Sequence, residues 1–369
     1  MDIKLNKETL FVISTLERRG YLAYVVGDFV RDSLLNVIPN DMDIVTDATL
    51  SEVRNLFSEY KIVDYKKKTL SLGVIINNFY IEISTFDGKC IEEDLINRDF
   101  TINAIAYSPS TGIIDPLDGI KDLENKIIKT PKDPIVSICS SPLRILKAIE
   151  LSIKKGFKID SELNEVILSR ASLLENEKPT RFKKFLDFVF ESKKPSIIIE
   201  TYFNVFCVIF PSLKATYKFD QHSRWHHLDV LSHILAVLDF TTNNLVLRYA
   251  AFFHDIEKPQ CFSIDELGEG HFYNHYIYSA ETAKYELMRL NYSKDFINRV
   301  YNLVLYHDRR LENKDIIIKR FLRDFGINDL ELYFELKKCD CLGQNPKYYN
   351  RIDELDLIKE RALELAKEM

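Results

Sequence analysis

The sequence predicts an α+β protein, with an α/β head of about 125 residues and helical regions from there to the C-terminus. Three observations predict it. Strand-length apolar runs alternate with helical stretches through the first part of the chain. Strand signals then fade, and apolar residues recur at helical spacing. All eight histidines lie between His222 and His307, which separates two chemistries along the chain.

Each head element has its own signature. Leu10 to Arg19 carries the spacing of an opening helix, and Tyr24 to Val26 is a short apolar strand. Phe29 to Leu35 is helical again, Asp43 to Val45 is the next strand, and Leu50 to Phe57 returns to helix. TLSLGVIINNFYIEIST alternates on both sides of Asn77-Asn78, a dipeptide suited to a two-residue hairpin turn. Ser141-Pro142 supplies a cap and a first-turn proline for a helix that Gly156 closes. A second helical region starts near Phe219, and neither a repeat nor a low-complexity linker interrupts the chain. The expected divisions are 1–125, 126–215, 216–325 and 326–369.

A chain of 369 residues and 43.2 kDa exceeds one comfortable core. Its net charge of -6 argues against a generally basic nucleic-acid binder, although Lys66-Lys67-Lys68 and Arg181-Phe182-Lys183-Lys184 offer local basic faces. No apolar run is long enough to span a bilayer, and MDIKLNKETL is too charged for a signal peptide, so a cytoplasmic protein with no membrane partner is expected. The cysteines (Cys90, Cys139, Cys207, Cys261, Cys339, Cys341) have neither disulfide nor zinc spacing and are expected to be reduced and mostly buried.

The first chemical constellation lies in YVVGDFVRDSLLNVIPNDMDIVTDA. Asp41 and Asp43 stand at i and i+2 of an apolar strand, so their side chains share one face. Such a pair suits magnesium, which takes oxygen ligands and completes its shell with phosphates and water. An isolated D-x-D is more often a surface turn; the flanks change that reading. Gly27 ends a strand and opens a helix, where backbone amides face a phosphate. NRDFTINAIAY then adds Arg98, Asp99 and Asn103.

In this order the motifs resemble the bacterial-type (class II) CCA tRNA nucleotidyltransferases and poly(A) polymerases. The family's head reads roughly G-G-x-V-R-D, P-x-D-x-D and R-R-D-F-T-I-N-A. Here the counterparts are Gly27-Asp28-Phe29-Val30-Arg31-Asp32, Pro39-Asn40-Asp41-Met42-Asp43 and Asn97-Arg98-Asp99-Phe100-Thr101-Ile102-Asn103-Ala104. The resemblance implies a polymerase-beta-like nucleotidyltransferase head followed by an all-helical neck and body. It implies that Asp41 and Asp43 are catalytic and hold Mg2+. It assigns Gly27, Arg31, Arg98, Asp99, Asn103, Arg144 and Lys147 to nucleotide binding, with Arg144 helping to read the base. The implied substrates are CTP and ATP, and the implied partner is a tRNA or other RNA 3′ end.

Departures from the pattern cluster at nucleotide contacts. Asp28 replaces a second glycine, and a carboxylate touching a phosphate there would be repelled by about 4 kcal/mol at an effective dielectric of ~20. Asn36-Val37 replaces Gly-Arg, Asn97 replaces an arginine, and Ser140-Ser141 replaces Glu-Asp ahead of Arg144. Lys147 and Glu150 stand where the family keeps arginines. After IEISTF the chain runs directly into DGKCIEEDL, without the longer loop associated with A addition, which resembles the CC-adding branch.

The second constellation is WHHLDVLSHIL, LRYAAFFHDIEKP, GHFYNHYIYSAETA and LVLYHDRR. His233, His254-Asp255 and Asp308 resemble the H...HD...D set of HD-domain metal-dependent phosphohydrolases, and some members of the first family carry such a domain here. An adjacent His-Asp pair offers nitrogen and oxygen to one ion, a donor mix suited to Ni2+, Mn2+ or Co2+. His271 and His275, four residues apart, are candidates for a second ion. Glu257 departs from the usual glycine of H-D-I-G-K and is expected to perturb access. The leading expectation is a nucleotidyltransferase adding C and/or A to RNA 3′ ends. The alternative is an HD phosphohydrolase with a head degenerate in nucleotide binding, and a third is a non-catalytic RNA-binding protein.

Overall fold

The computed structural model describes residues 3–39, 42–64 and 71–369. The chain divides into two units, Met1–Arg170 and Ala171–Met369, with the boundary inside the expected segment 126–215.

The first unit is built on a seven-stranded sheet. Its strands are β1 (Ala23–Val26), β2 (Asp43–Thr46), β3 (Lys61–Asp64), β4 (Ser71–Ile76), β5 (Phe79–Thr85), β6 (Ala106–Ser108) and β7 (Gly112–Ile114), in the order β3-β4-β5-β2-β1-β6-β7. β2 and β5 run parallel, whereas the other neighbours are antiparallel. All four residues of β1 are buried, because both of its faces are covered. Val25 joins Ile44, Ile81 and Ile83 in one core. Tyr24 and Val26 join Val45, Ile91 and Leu95 in another. Two-residue alternation therefore puts Asp43 on the Val45 face of β2.

Local chemistry explains the boundaries. Asn6 caps the helix Lys7–Glu17, and Thr49 with Glu52 forms a reciprocal capping box on Leu50–Leu56. Asn77 and Asn78, at φ 49 and 66, make the tight link between β4 and β5. Gly156, at φ 67, ends the helix Arg144–Lys155. That helix starts later than Ser141-Pro142 indicates, because Ser141 is extended and ends the preceding helix Pro134–Ser140. Two β-branched residues, Ile127 and Ile128, pair in parallel with Lys158 and Ile159, so the region expected to be all helical carries a small ladder.

The second unit is helical apart from a hairpin of Phe262–Ile264 with Gly270–Phe272. Its helix Leu245–Phe253 is buried from Val246 to Phe253, with Arg248 the one charged residue among apolar and aromatic ones, its guanidinium donating to the Ser192 carbonyl at 2.7 Å. Its C-terminal end delivers His254-Asp255 into the unit's interior, where both are buried. The helices Val230–Phe240, His275–Arg289, Lys294–Tyr306 and Leu330–Gly343 supply the remaining side chains around them. All six cysteines are free, but only Cys339 and Cys341 are buried, because Cys139 is exposed and the other three lie between those extremes. Among the described residues no helix is long and apolar enough to cross a membrane.

Candidate functional site

In the first unit, the turn after β1 is where the head's chemistry gathers. Gly27 has φ +73, a conformation that a β-carbon would strain. A β-carbon there would also stand 3.3 Å from Arg98 Nη1 and 3.8 Å from Asp43 Oδ2. Bare backbone, a carboxylate and a guanidinium thus converge. Arg98 is held by Asp94, with Nε donating to Oδ2 at 3.0 Å. Asp43 is in register with Glu82 of the parallel strand β5, so both carboxylates leave the same sheet face. Two oxygen donors on one face fit a hard divalent cation. Asp41 and the basic run Lys66-Lys67-Lys68 lie outside the described residues.

Behind this turn runs a buried polar chain. Arg31, only 4% exposed in its side chain, donates to Asp28 at 2.7 Å, Asp32 at 2.8 Å and Asn103 at 2.8 Å. Asn103 donates onward to Asp99 at 3.0 Å, and Lys147 reaches the other oxygen of Asp99 at 3.3 Å. Burial alone would raise the pKa of Asp99, but Lys147 and hydrogen bonds from Asn103 and the Phe100 amide bring it below its ordinary value. Lys155 pairs with Asp32 at 2.8 Å. Arg144 donates to the carbonyl of Asn97 at 2.7 Å and of Ser137 at 3.2 Å, and burial lowers its pKa. Asp28 is turned onto Arg31, so its charge is compensated locally. Glu150 is likewise paired, with Lys154.

The second unit holds a denser cluster. Nε2 of His233 lies 3.2 Å from Nε2 of His254, 3.3 Å from Asp255 Oδ2 and 3.1 Å from Asp340 Oδ1. On the other side of Asp255, Oδ1 lies 3.1 Å from His275 Nε2 and 3.5 Å from His307 Nε2, and those two nitrogens are 3.3 Å apart. The donors fall into two sets, His233-His254-Asp340 and Asp255-His275-His307. Asp255 stands between them, one carboxylate oxygen toward each.

The four imidazoles are oriented alike. Nδ1 of His233 faces the carbonyl of Gly343, Nδ1 of His254 that of Ala251, Nδ1 of His275 that of Phe272 and Nδ1 of His307 that of Val304, at 2.6 to 3.1 Å. A carbonyl only accepts, so Nδ1 carries the proton and each neutral ring points a lone pair from Nε2 into the cluster. Opposed lone pairs and two carboxylates repel without a cation, and Asp255 Oδ1 is a buried oxygen with no hydrogen bond. The donor set therefore fits two divalent ions. With no ion between them, burial would lower the pKa of His233, but Asp255 and Asp340 outweigh it and raise it to about 9, so His233 gives up its Nε2 proton only as a cation takes its place. Burial opposes ionisation of Asp255, yet His254 and Lys258 hold its pKa well below the ordinary carboxylate value. Lys258 Nζ sits 2.7 Å from Asp255 Oδ2 and 3.0 Å from Gln221 Oε1.

Comparisons with known proteins agree with the head's geometry. Residues 23–90 and 87–129 match the Poly A polymerase head domain. A Geobacillus sp. CCA-adding enzyme is 34% identical over 53% of this chain and 53% of its own length. A CC-adding tRNA nucleotidyltransferase of Halalkalibacterium halodurans is 37% identical over 49% of this chain and 47% of its own. Over residues 23–129 the chain is thus similar to the head of the class II tRNA nucleotidyltransferases and poly(A) polymerases. It spans about half the length of the relatives it matches. Its fold is also that of a Thermotoga maritima CCA-adding enzyme complexed with tRNA, at TM-score 0.66 and 21% identity over 98% of this chain and 83% of that one.

Sequence and structure diverge at several positions. Gly27, Arg98 and Asp43 come together, whereas Arg31, Asp99 and Asn103 form the inward network behind them. In the second unit His233, His254, Asp255 and His275 converge, but His271 and Asp308 do not. His271 lies on the hairpin and pairs with Asp265 at 3.0 Å. Asp308 is exposed because it follows the turn where His307 has already taken the inward position. Asp340 and His307 complete the two sets. Glu257 does not face the cluster: Thr282 donates to it at 2.7 Å, its backbone amide donates to Ser279 at 3.2 Å, and Gln260 donates to its other oxygen. Glu82 and Asp340 were legible only as isolated polar residues, such as Asp340 between Cys339 and Cys341, whereas Lys258 is the lysine of the H-D-I-G-K pattern but was not singled out.

Proposed function

We propose that the first unit is a template-independent nucleotidyltransferase that adds C, A or both to a tRNA or other RNA 3′ end, using CTP and ATP and releasing pyrophosphate. The convergence of Gly27, Asp43 and Arg98, with Glu82 beside Asp43, carries this reading. Asp41, Asp43 and Glu82 would hold Mg2+, which when bound activates the RNA hydroxyl and neutralises the leaving pyrophosphate. Gly27 removes side-chain bulk where the triphosphate approaches, and Arg98, tethered by Asp94, meets its negative charge. Arg144 is fixed against the Asn97 carbonyl, a rigid mounting for reading a base edge. Only five residues link β5 to the helix Ile91–Asn97, which favours C addition, the activity named for the Halalkalibacterium relative.

The test is transfer of labelled CTP and ATP to tRNA lacking part or all of its CCA end. Incorporation by the wild type that vanishes in Asp41→Ala and Asp43→Ala is expected. Its absence at high enzyme concentration would overturn the reading.

A specific observation supports a second activity in the same chain. We read the paired donor sets around Asp255 as an HD-type phosphohydrolase centre that would hold two ions such as Ni2+, Mn2+ or Co2+. Those ions, when bound, supply Lewis-acid activation of a phosphate ester. Lys258, buried beside Asp255, places a fixed positive charge next to them. Hydrolysis of p-nitrophenyl phosphate with Mn2+, abolished in Asp255→Asn, is the corresponding assay.

A further inference from the structure

Two arginines of the second unit share one aromatic ring. The guanidinium of Arg224 lies 5.0 Å from the ring centre of Trp225, the chain's single tryptophan, and that of Arg351 lies 5.4 Å from it. Tyr348 packs against the same ring at 4.2 Å and 46°. Both arginines are exposed, and neither forms an ion pair among the described residues. Arg351 also opens the helix Arg351–Ala366, whose N-terminus is positive and whose cap residue Asn350 makes no side-chain cap; Asp353 and Glu354 follow in the first turn. Two cations held together at a positive helix end are favourable once an anion joins them.

This group borders the His/Asp cluster. Gln344 donates to Asp340 Oδ1 at 3.2 Å and accepts from Arg351 Nη1 at 3.3 Å, so one amide separates that guanidinium from a carboxylate of the cluster. The Asn345 amide donates to the Trp225 carbonyl at 2.9 Å, which fastens the Trp225 segment to the end of the helix carrying Asp340. His226, the next residue, stands edge-on to His233 with ring centres 4.7 Å apart, and its buried Nδ1 has no hydrogen-bond partner.

We propose that Arg224, Arg351 and Trp225 form a substrate subsite beside the His/Asp centre, and that its ligand is the phosphodiester adjoining a terminal phosphate of a nucleotide chain. Guanidinium forks match phosphate oxygens, and an aromatic ring beside them matches a base. A lone phosphate would use only the arginines, whereas a nucleotide unit also brings a base to the aromatic pair Trp225 and Tyr348. The centre then acts on the phosphorylated end of a nucleotide chain in preference to a free mononucleotide. The proposal rests on reading the cluster as a phosphohydrolase centre.

The experiment measures binding to the full chain with Mg2+ by calorimetry, with Trp225 emission as a local signal. The probes are 3′-phosphorylated diadenylate, 3′-AMP and ADP. The diadenylate is expected to bind about tenfold tighter than 3′-AMP, as an added charge-assisted phosphate contact provides. In Arg224→Gln and Arg351→Gln that ratio falls toward one. Equal affinities in the wild type, or an unchanged ratio in both variants, overturn the subsite. ADP binding as tightly as the diadenylate, with the same arginine dependence, overturns the chain-end assignment in favour of a phosphoanhydride. Mn2+-dependent phosphate release from the diadenylate, lost in Asp255→Asn, tests the centre separately. If release fails while the binding ratio holds, the phosphohydrolase reading falls and the subsite stands.

Discussion

Replacing Arg31 with methionine tests whether the inward network of the head is structural. The substitution keeps the side chain's length and apolar stem and removes the guanidinium. Asp28 loses a partner but is 57% exposed, so water takes over and the loss is small. Asp32 keeps Lys155 and loses one of its two cations. Asn103 is the costly residue: it is buried, and its side-chain oxygen would lose its donor, a penalty of about 1–3 kcal/mol. Adding roughly 1 kcal/mol for Asp32 puts the total near 3 kcal/mol, at the lower edge of the cost of breaking a buried ion pair. Because the chain's only tryptophan lies in the other unit, hydrogen exchange by mass spectrometry is the suitable assay. If the head opens cooperatively, amides of β1 and of Thr101–Asn103 should exchange about 100-fold faster, since each 1.4 kcal/mol is a factor of ten. Peptides from Ala171 onward should be unchanged. Acceleration of fivefold or less would refute the argument, because the network would then be worth no more than a surface pair.

Other substitutions probe the remaining claims. Asp340→Asn should lower the number of bound Mn2+ ions, measured by equilibrium dialysis, from two to one, whereas Asp308→Asn should leave it at two. Gly343→Ala would put a β-carbon 2.7 Å from Val237 and 3.0 Å from His233 Nδ1, so it should destabilise the second unit by about 1–3 kcal/mol in thermal melts and weaken Mn2+ binding. Burial opposes ionisation of Asp32, but Arg31 and Lys155 prevail and depress its pKa. Its contribution is therefore complete above the ordinary carboxylate range and is lost as pH falls through the depressed value. Below about pH 4, the protection of head amides relative to their intrinsic exchange rates should fall more steeply in the wild type than in Asp32→Asn.

The positions that were hard to read share a physical cause. Strand-forming runs and turn dipeptides act locally, so β1, β2 and the Asn77-Asn78 hairpin were legible from the chain alone. The turn at Gly27 was legible for the same reason, since its motif is contiguous with β1. Contacts between distant segments are different. Asp43 meets Glu82 only because β2 and β5 pair in parallel across an intervening helix and two strands, a register that no local pattern encodes. At His307-Asp308 a helix phase error of one residue, about 100° of rotation, decides which side chain faces Asp255. The histidine turns inward there and the aspartate outward, so the cluster's second carboxylate must come from elsewhere. Asp340 provides it from the helix Leu330–Gly343, whose glycine lets the helix approach His233 closely enough for its carbonyl to orient that ring. Asp28 shows the complementary limit. A charge placed by sequence beside an expected phosphate reads as repulsive until its rotamer is known, and here the carboxylate turns to Arg31 three residues along the same helix. The substitutions that look damaging in sequence, Asp28 and Glu150, are both answered by cations one helical turn away. Loss of a family residue is therefore weak evidence of lost function where the replacement brings its own partner.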